Sequence, residues 1–201
     1  MNQPVSKPTP GQSFSLPQSE NAIRQVLKGA PQDLWLDTIR RARFASHNTL
    51  ISWMLCQPEC DFAVAAHAFY RSNPAQYLDS PTALPPHPSS DQIFARCLIN
   101  WDTGFFRTHR LKVEERDAPL RHISIIHQKV IARQRGSLPF RIPLRFLDPK
   151  GGKPLQLSES LNPENAPDLW IKYAHAQLDV PSTAPGFPRR ISGIMRKISR
   201  R

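Results

Sequence analysis

The 201-residue sequence has few acidic residues, few cysteines and no long apolar run. Its 27 lysines and arginines face only 16 aspartates and glutamates, which leaves a formal charge of +11. A strong net charge favours anionic partners and solubility but does not determine the fold. No apolar stretch approaches the about 20 residues of a membrane-spanning helix, so we expect no such helix.

The three cysteines cannot all pair within one chain. The opening, MNQPVSKPTPGQS, also lacks the apolar core of a secretory signal. Both features favour a reduced, cytoplasmic protein. Cys56 and Cys60 are four residues apart, but the second pair of ligands that zinc would need is missing. We therefore expect no metal and no cofactor.

Proline is abundant, with 21 residues, and it clusters between apolar segments. Residues 1–18 are predicted to be a disordered lead. Between residues 19 and 179 apolar side chains recur mainly at three- and four-residue spacing, which predicts a mainly α, compact multi-helix domain. Residues 180–201 are predicted to form a basic amphipathic tail.

The densest apolar stretch, residues 47–74, predicts two helices in contact. Asn48 or Thr49 can cap the first helix, and Asp61 can cap the second. The first is apolar almost all round, and the second is rich in alanine, which permits close helix approach. The predicted core of the pair includes Leu50, Ile51, Trp53, Met54, Leu55, Val64 and Phe69.

Further segments predict helices and a little β-structure. Ser19 and Asp117 are expected to cap two other helices, and His127 is expected to be a hydrogen-bonded core residue of the second. Residues 107–115 predict a short strand. Apolar residues alternate from 140 to 146, and with Leu155 and Leu157 they predict an edge hairpin at about 140–157.

One short stretch, residues 58–70, resembles a known family. The shared residues are Cys60, Asp61 and Ala65, followed by an aromatic pair, Phe69 and Tyr70. They resemble the signature Cys-Asp-x-Gly-Thr-Ala-Leu of DUF4274, a bacterial family of domains of unknown function. Gly, Thr and Leu of that signature are replaced by Ala63, Val64 and Ala66. The resemblance implies a helical intracellular domain and no particular chemistry.

Cys60 is the one weak candidate for a catalytic residue. It lies near a predicted helix start, where the pKa of a thiol can fall, and seven histidines offer a possible base. The alternative is a small thiol buried in the core. The sequence lacks a phosphate-binding glycine loop, a nucleophile elbow and a metalloprotease helix.

Two regions concentrate the positive charge. Residues 107–145 hold ten basic and three acidic residues. In the tail, apolar residues repeat at three and four positions among basic ones, which predicts a segment that orders on an acidic protein or an anionic membrane surface. The predicted partner-binding residues are Arg189, Arg190, Ile191, Ile194, Met195, Arg196, Lys197, Ile198, Arg200 and Arg201. A disordered solubilising tail is the alternative.

These features lead us to expect a non-enzymatic cytoplasmic binding protein for an anionic or acidic partner. The first alternative is nucleic-acid binding through residues 107–145 and the tail, although the signatures of the common RNA-binding modules are missing. The second alternative is a cysteine-dependent enzyme at Cys60.

Overall fold

The structure, a computed structural model, describes residues 16–133 and 138–181. These residues are mainly helical, as the apolar spacing predicted, and they form no strand. The helices within them are α1 Leu16–Leu27, α2 Gln32–Arg41, α3 Asn48–Leu55, α4 Phe62–Arg71, α5 Pro74–Asp79, α6 Ile93–Asp102, α7 Leu120–Ala132, α8 Leu144–Leu147 and α9 Pro167–His175. A 3-10 turn, Glu159–Leu161, precedes α9. Over the described ranges, no helix is long and apolar enough to cross a membrane.

The chain divides into two compact units. Leu27–Ser158 form the larger unit, which contains α2 to α8. The smaller unit includes the described residues 16–26 and 159–181, and therefore most of α1, the 3-10 turn and α9. Within it, Trp170 Nε1 donates a hydrogen bond to the Leu161 carbonyl oxygen at 2.9 Å, which ties α9 to the preceding turn. Trp170 and Tyr173 are buried.

Helix α4 is the centre of the larger unit. Every residue from Phe62 to Tyr70 is buried, and the helix contacts α2, α3, α5 and α6. Its four alanines allow these neighbours to approach closely. Asp61 caps the helix, because its Oδ1 accepts a hydrogen bond from the Ala63 N–H at 2.9 Å. Both the predicted contact of α3 with α4 and the predicted cap are confirmed.

An aromatic cluster joins α4 to α6 and α8. The Phe69 ring lies 4.6 Å from that of Phe146 in α8 and 5.6 Å from that of Phe94 in α6. The Phe62 ring lies 5.2 Å from Phe146, and Tyr70 Oη donates to the Phe146 carbonyl oxygen at 2.5 Å. Large buried rings contribute much of the stabilisation of a core. The cluster therefore fixes α6 and α8 on α4.

The hairpin predicted at 140–157 does not form among the described residues. Leu144–Leu147 instead form a helical turn after Pro143, whose φ of −61° suits a helix start. Packing of Phe146 against α4 outweighs the strand preference of the alternating pattern. The strand predicted at 107–115 is reduced to a single parallel bridge between Leu111 and Lys153.

Three helix starts differ from their predicted caps. Ser19 lies inside α1, and Asn48 is the first residue of α3 rather than its cap. Asp117 precedes α7 without capping it, since the N–H of Leu120 donates to Glu115 Oε1 at 3.0 Å. The Asp117 oxygens instead accept hydrogen bonds from Arg40 and His67, so long-range partners override the cap that the local sequence predicted.

Two predicted core residues are not buried. Trp53 is partly exposed, and its ring stacks on that of Trp35 at 5.5 Å. His127 is exposed on α7, where Ile126 is buried. This helix packs on α5 and α8. The apolar side of α7 therefore faces the core only in part. The prediction that His127 is a core residue is wrong.

Replacement of Phe69 should be much more costly than replacement of Trp53. Phe69→Ala should lower the free energy of unfolding by about 3–5 kcal/mol, because it opens a closed cavity in the aromatic cluster. Trp53→Ala should cost less than about 2 kcal/mol, because water already reaches this ring. Urea denaturation measures both values. Equal losses would contradict the packing described for α3 and α4.

Candidate functional site

The candidate site is built on residues 107–118, called here the extended segment, which ends in a turn at 115–117. Two buried carboxylates hold this segment against the helices. The first carboxylate is that of Asp61. Its Oδ2 accepts a hydrogen bond from the Arg110 N–H at 2.7 Å, while its Oδ1 caps α4. The Asp61 N–H donates to Gln32 Oε1 of α2 at 2.9 Å. Asp61 thus joins α2, α4 and the extended segment at one point.

The Asp61 carboxylate is bound by backbone N–H groups of the protein. Burial raises the pKa of this carboxyl group, and the backbone N–H groups of Ala63, Arg110 and Leu111 oppose that rise without cancelling it. The side chain is fully buried. Asp61, one of the residues shared with the DUF4274 signature, therefore has a structural role in this chain.

The second carboxylate, Asp117, lies at the other end of the segment. Arg40 of α2 donates to it from Nε at 2.8 Å and from Nη2 at 2.5 Å, and His67 of α4 donates from Nδ1 at 3.0 Å. The Glu114 N–H adds a bond at 2.9 Å. Burial alone would raise the pKa of Asp117, but the bonds from His67, Arg40 and Glu114 lower it to about 2.

Between these anchors the segment pairs with the loop after α8. The Lys153 N–H donates to the Arg110 carbonyl oxygen at 2.8 Å, and the Lys112 N–H donates to that of Lys153 at 2.7 Å. Gly152 makes the approach possible, because its φ is +80° and a Cβ there would lie 2.2 Å from the Leu111 carbonyl oxygen. Only glycine meets both conditions.

An open groove of about 660 Å³ lies beside this pairing. Its lining combines the start of α2, the extended segment and the loop after α8. The lining residues are Asp33, His109, Arg110, Leu111, Gly152, Lys153, Pro154 and Gln156. A groove of this volume is in the range of ligand-binding sites in proteins.

Two cations give the groove its positive charge. Arg110 and Lys153 are exposed, and within the described ranges neither has a carboxylate oxygen within 4.0 Å. The acidic residue of the lining is Asp33, whose Oδ1 accepts a hydrogen bond from the Gln156 N–H at 2.8 Å. The groove is therefore cationic, with one carboxylate at its α2 side.

His109 adds an uncharged imidazole to the lining. Its ring lies 4.9 Å from that of Phe62, and its Nδ1 lies 3.4 Å from Arg145 Nη2. Burial lowers the pKa of His109, Arg145 lowers it further, and Asp61 partly opposes both. His109 is thus neutral near pH 7. Because arginine can only donate, Nδ1 is the acceptor and Nε2 carries the proton.

The structure argues against a catalytic role for Cys60. The thiol is fully buried, and burial, followed by the neighbouring carboxylate of Asp61, raises its pKa well above the usual value. A buried, protonated thiol is a poor nucleophile. Cys60 therefore fits the alternative of a small core residue. In the part of the chain that the structure describes, no group of three or more His, Cys, Asp or Glu residues could hold a metal ion.

The predicted partner-binding residues at 189–201 lie outside the described residues. Their role stays a prediction.

Sequence reasoning did not find the groove, because its lining comes from three distant parts of the chain. The available signal was Asp148-Pro149-Lys150-Gly151-Gly152, a turn sequence inside the predicted hairpin, which Lys153 follows. Two consecutive glycines beside lysines can also mark a close backbone approach beside a cationic surface. Nothing in the local sequence identifies Arg110 or Asp33 as the facing residues.

Comparison of the chain with known protein families, with curated proteins and with solved structures gave no match. The local resemblance to DUF4274 remains a prediction.

Removal of the Asp117 charge should destabilise the fold strongly. Asp117→Asn should cost about 3–5 kcal/mol, because the largely buried Arg40 side chain keeps only Glu114 at 3.4 Å and the buried His67 loses its carboxylate partner. The control is Asp79→Asn, which removes an exposed partner of Lys129 and should cost less than about 1 kcal/mol. Chemical denaturation at neutral pH measures both, and equal effects would contradict a structural role for the Asp117 cluster.

The Asp117 carboxylate should make the free energy of unfolding depend on pH in the acidic range. Its folded pKa lies below the unfolded value, so its contribution is complete above about pH 4 and is lost as the pH falls through about 2. That contribution is on the order of 2 kcal/mol. Stability measured from pH 5 to pH 2 should therefore fall less steeply for Asp117→Asn than for the wild type.

Proposed function

We propose that the protein is a non-enzymatic binding protein of the cytoplasm that engages an anionic or acidic partner through the groove. The observation that supports this most directly is the pair Arg110 and Lys153. Both side chains are exposed at the groove, and among the described residues neither has a carboxylate oxygen within 4.0 Å. Unpaired cations in a concave surface attract anions and speed their association.

Three other cations of residues 107–145 are bound within the fold. Arg116 pairs with Glu114 at 2.9 Å, and Lys129 pairs with Asp79. Arg133 Nη2 donates to the Leu78 carbonyl oxygen at 2.6 Å. Contacts of this kind reduce what these side chains can offer a partner. The groove, rather than the whole basic region, is therefore the stronger candidate.

The lining also favours binding over catalysis. His109 is a neutral imidazole, but the described lining residues include no serine, threonine or cysteine that it could activate. Asp33 already accepts a hydrogen bond from the backbone of Gln156. The chemistry available in the groove is thus that of charge and hydrogen bonding.

The basic segment 189–201 belongs to the same proposal as a second contact. Its six lysines and arginines would add attraction for an acidic protein or an anionic membrane surface. Two linked contacts can bind far more tightly than either one alone.

Neutralisation of the groove should weaken anion binding more than the same charge change elsewhere. The test variant is Arg110→Gln with Lys153→Gln, and the control is Arg116→Gln with Lys129→Gln, which removes two paired cations. Fluorescence anisotropy would measure binding to capped hexaglutamate, a short DNA duplex and phosphatidylserine vesicles. The test variant should lose about tenfold or more in affinity for the bound probe, and the control about twofold or less.

The salt dependence of binding distinguishes binding at the groove from attraction by the net charge of the protein. Charge-driven binding weakens as ionic strength rises. The wild type should therefore show a steeper salt dependence than the groove variant. If both double variants lose affinity equally, the net charge rather than the groove drives binding and the proposal fails.

A further inference from the structure

We propose that the ligand of the groove is an extended acidic peptide segment of a partner protein. Its side-chain carboxylates bind Arg110 and Lys153, and one of its backbone N–H groups donates to Asp33. This inference rests on the proposed function, since it uses the same groove. It adds the chemical class of the partner and the direction of one hydrogen bond.

One carboxylate oxygen of Asp33, Oδ2, is available to accept a hydrogen bond from a ligand. Its Oδ1 accepts from the Gln156 N–H, and its Oδ2 accepts no hydrogen bond from the described residues. The residue is in the first turn of α2 and is only partly exposed. The positive end of a helix dipole favours a charged carboxylate at that position. The groove therefore presents a carboxylate oxygen that can bind a donor.

A ligand for this groove must satisfy both signs of charge. Nucleic-acid backbones approach proteins with phosphate oxygens, which carry negative charge and donate no hydrogen bond. A phosphate beside Asp33 would be repelled. A peptide carries one backbone N–H at each residue other than proline, and its acidic side chains can reach nearby cations. The lining thus favours an acidic peptide over a nucleic acid.

The two cations come from neighbouring backbone segments. The backbones of Arg110 and Lys153 share a hydrogen bond of 2.8 Å, and both residues line the groove. The neutral His109 adds an Nε2–H donor without adding charge. An extended segment with neighbouring carboxylates matches this arrangement of donors.

Asp33→Asn distinguishes the two kinds of ligand by the sign of its effect. For capped hexaglutamate the affinity should fall about fivefold, because a charge-assisted hydrogen bond is lost. For a short DNA duplex the affinity should rise, because a repulsive charge is removed. The asparagine Oδ1 can still accept from the Gln156 N–H, so the groove keeps its shape.

The matched control is Asp168→Asn. Asp168 has the same place in the first turn of α9 that Asp33 has in α2, and it is exposed. The control changes the net charge by the same amount outside the groove lining. It should raise the affinity for both probes slightly. If Asp33→Asn also raises the affinity for hexaglutamate, the proposed hydrogen bond is overturned.

A modified peptide tests the backbone donor directly. Hexaglutamate with N-methylated backbone amides keeps every carboxylate and loses the donors. It should bind the wild type about fivefold more weakly than unmodified hexaglutamate, but bind Asp33→Asn with little further loss, because that variant already lacks the charged acceptor. Equal losses in both proteins would overturn the inference.

The outcomes separate this inference from the proposed function. If DNA binding depends on Arg110 and Lys153 and hexaglutamate does not bind, the peptide inference fails and the anion-binding groove stands. If neutralising the two cations changes the binding of no probe, both fail.

Discussion

The groove depends on two carboxylates that are removed from water. A buried charge is costly unless hydrogen bonds and opposite charges replace its hydration. Asp61 meets this condition with backbone N–H groups, and Asp117 meets it with Arg40, His67 and a backbone N–H. Their partners belong to α2, α4 and the segment 107–118. An irregular stretch of chain therefore has a defined position without any sheet to hold it.

These hydrogen bonds also position the two cations of the groove. The backbone of Arg110 is bound by Asp61 and by Lys153, so the position of the residue is set by the fold. Its guanidinium group is exposed at the groove. Lys153 is placed in the same way, and Gly152 permits the close backbone approach. The fold thus uses the backbones of these residues for structure and leaves their charges for a partner.

Local patterns predicted what depends on local physics. The apolar pattern of residues 47–74 predicted α3 and α4, and Asp61 was correctly predicted as a cap because its bonding partner is two residues away. Asp117 was predicted as a cap for the same reason, but its main partner, Arg40, is 77 residues away in the chain. The alternation at 140–146 predicted a strand, whereas packing of Phe146 on α4 produced a helical turn. Long-range partners also define the groove, which explains why no single segment revealed it.

The Asp61 carboxylate holds the wall of the groove in place, and hydrogen exchange of the Arg110 and Leu111 amides in Asp61→Asn measures how strongly it does so. An asparagine offers one acceptor oxygen and one NH₂ donor, so it cannot serve both the Ala63 and the Arg110 N–H groups. Protection of the Arg110 and Leu111 amides against exchange should fall about tenfold or more, while protection of the Trp170 amide in α9 should not change. Unchanged protection at Arg110 and Leu111 in a folded variant would show that Asp61 does not hold this wall.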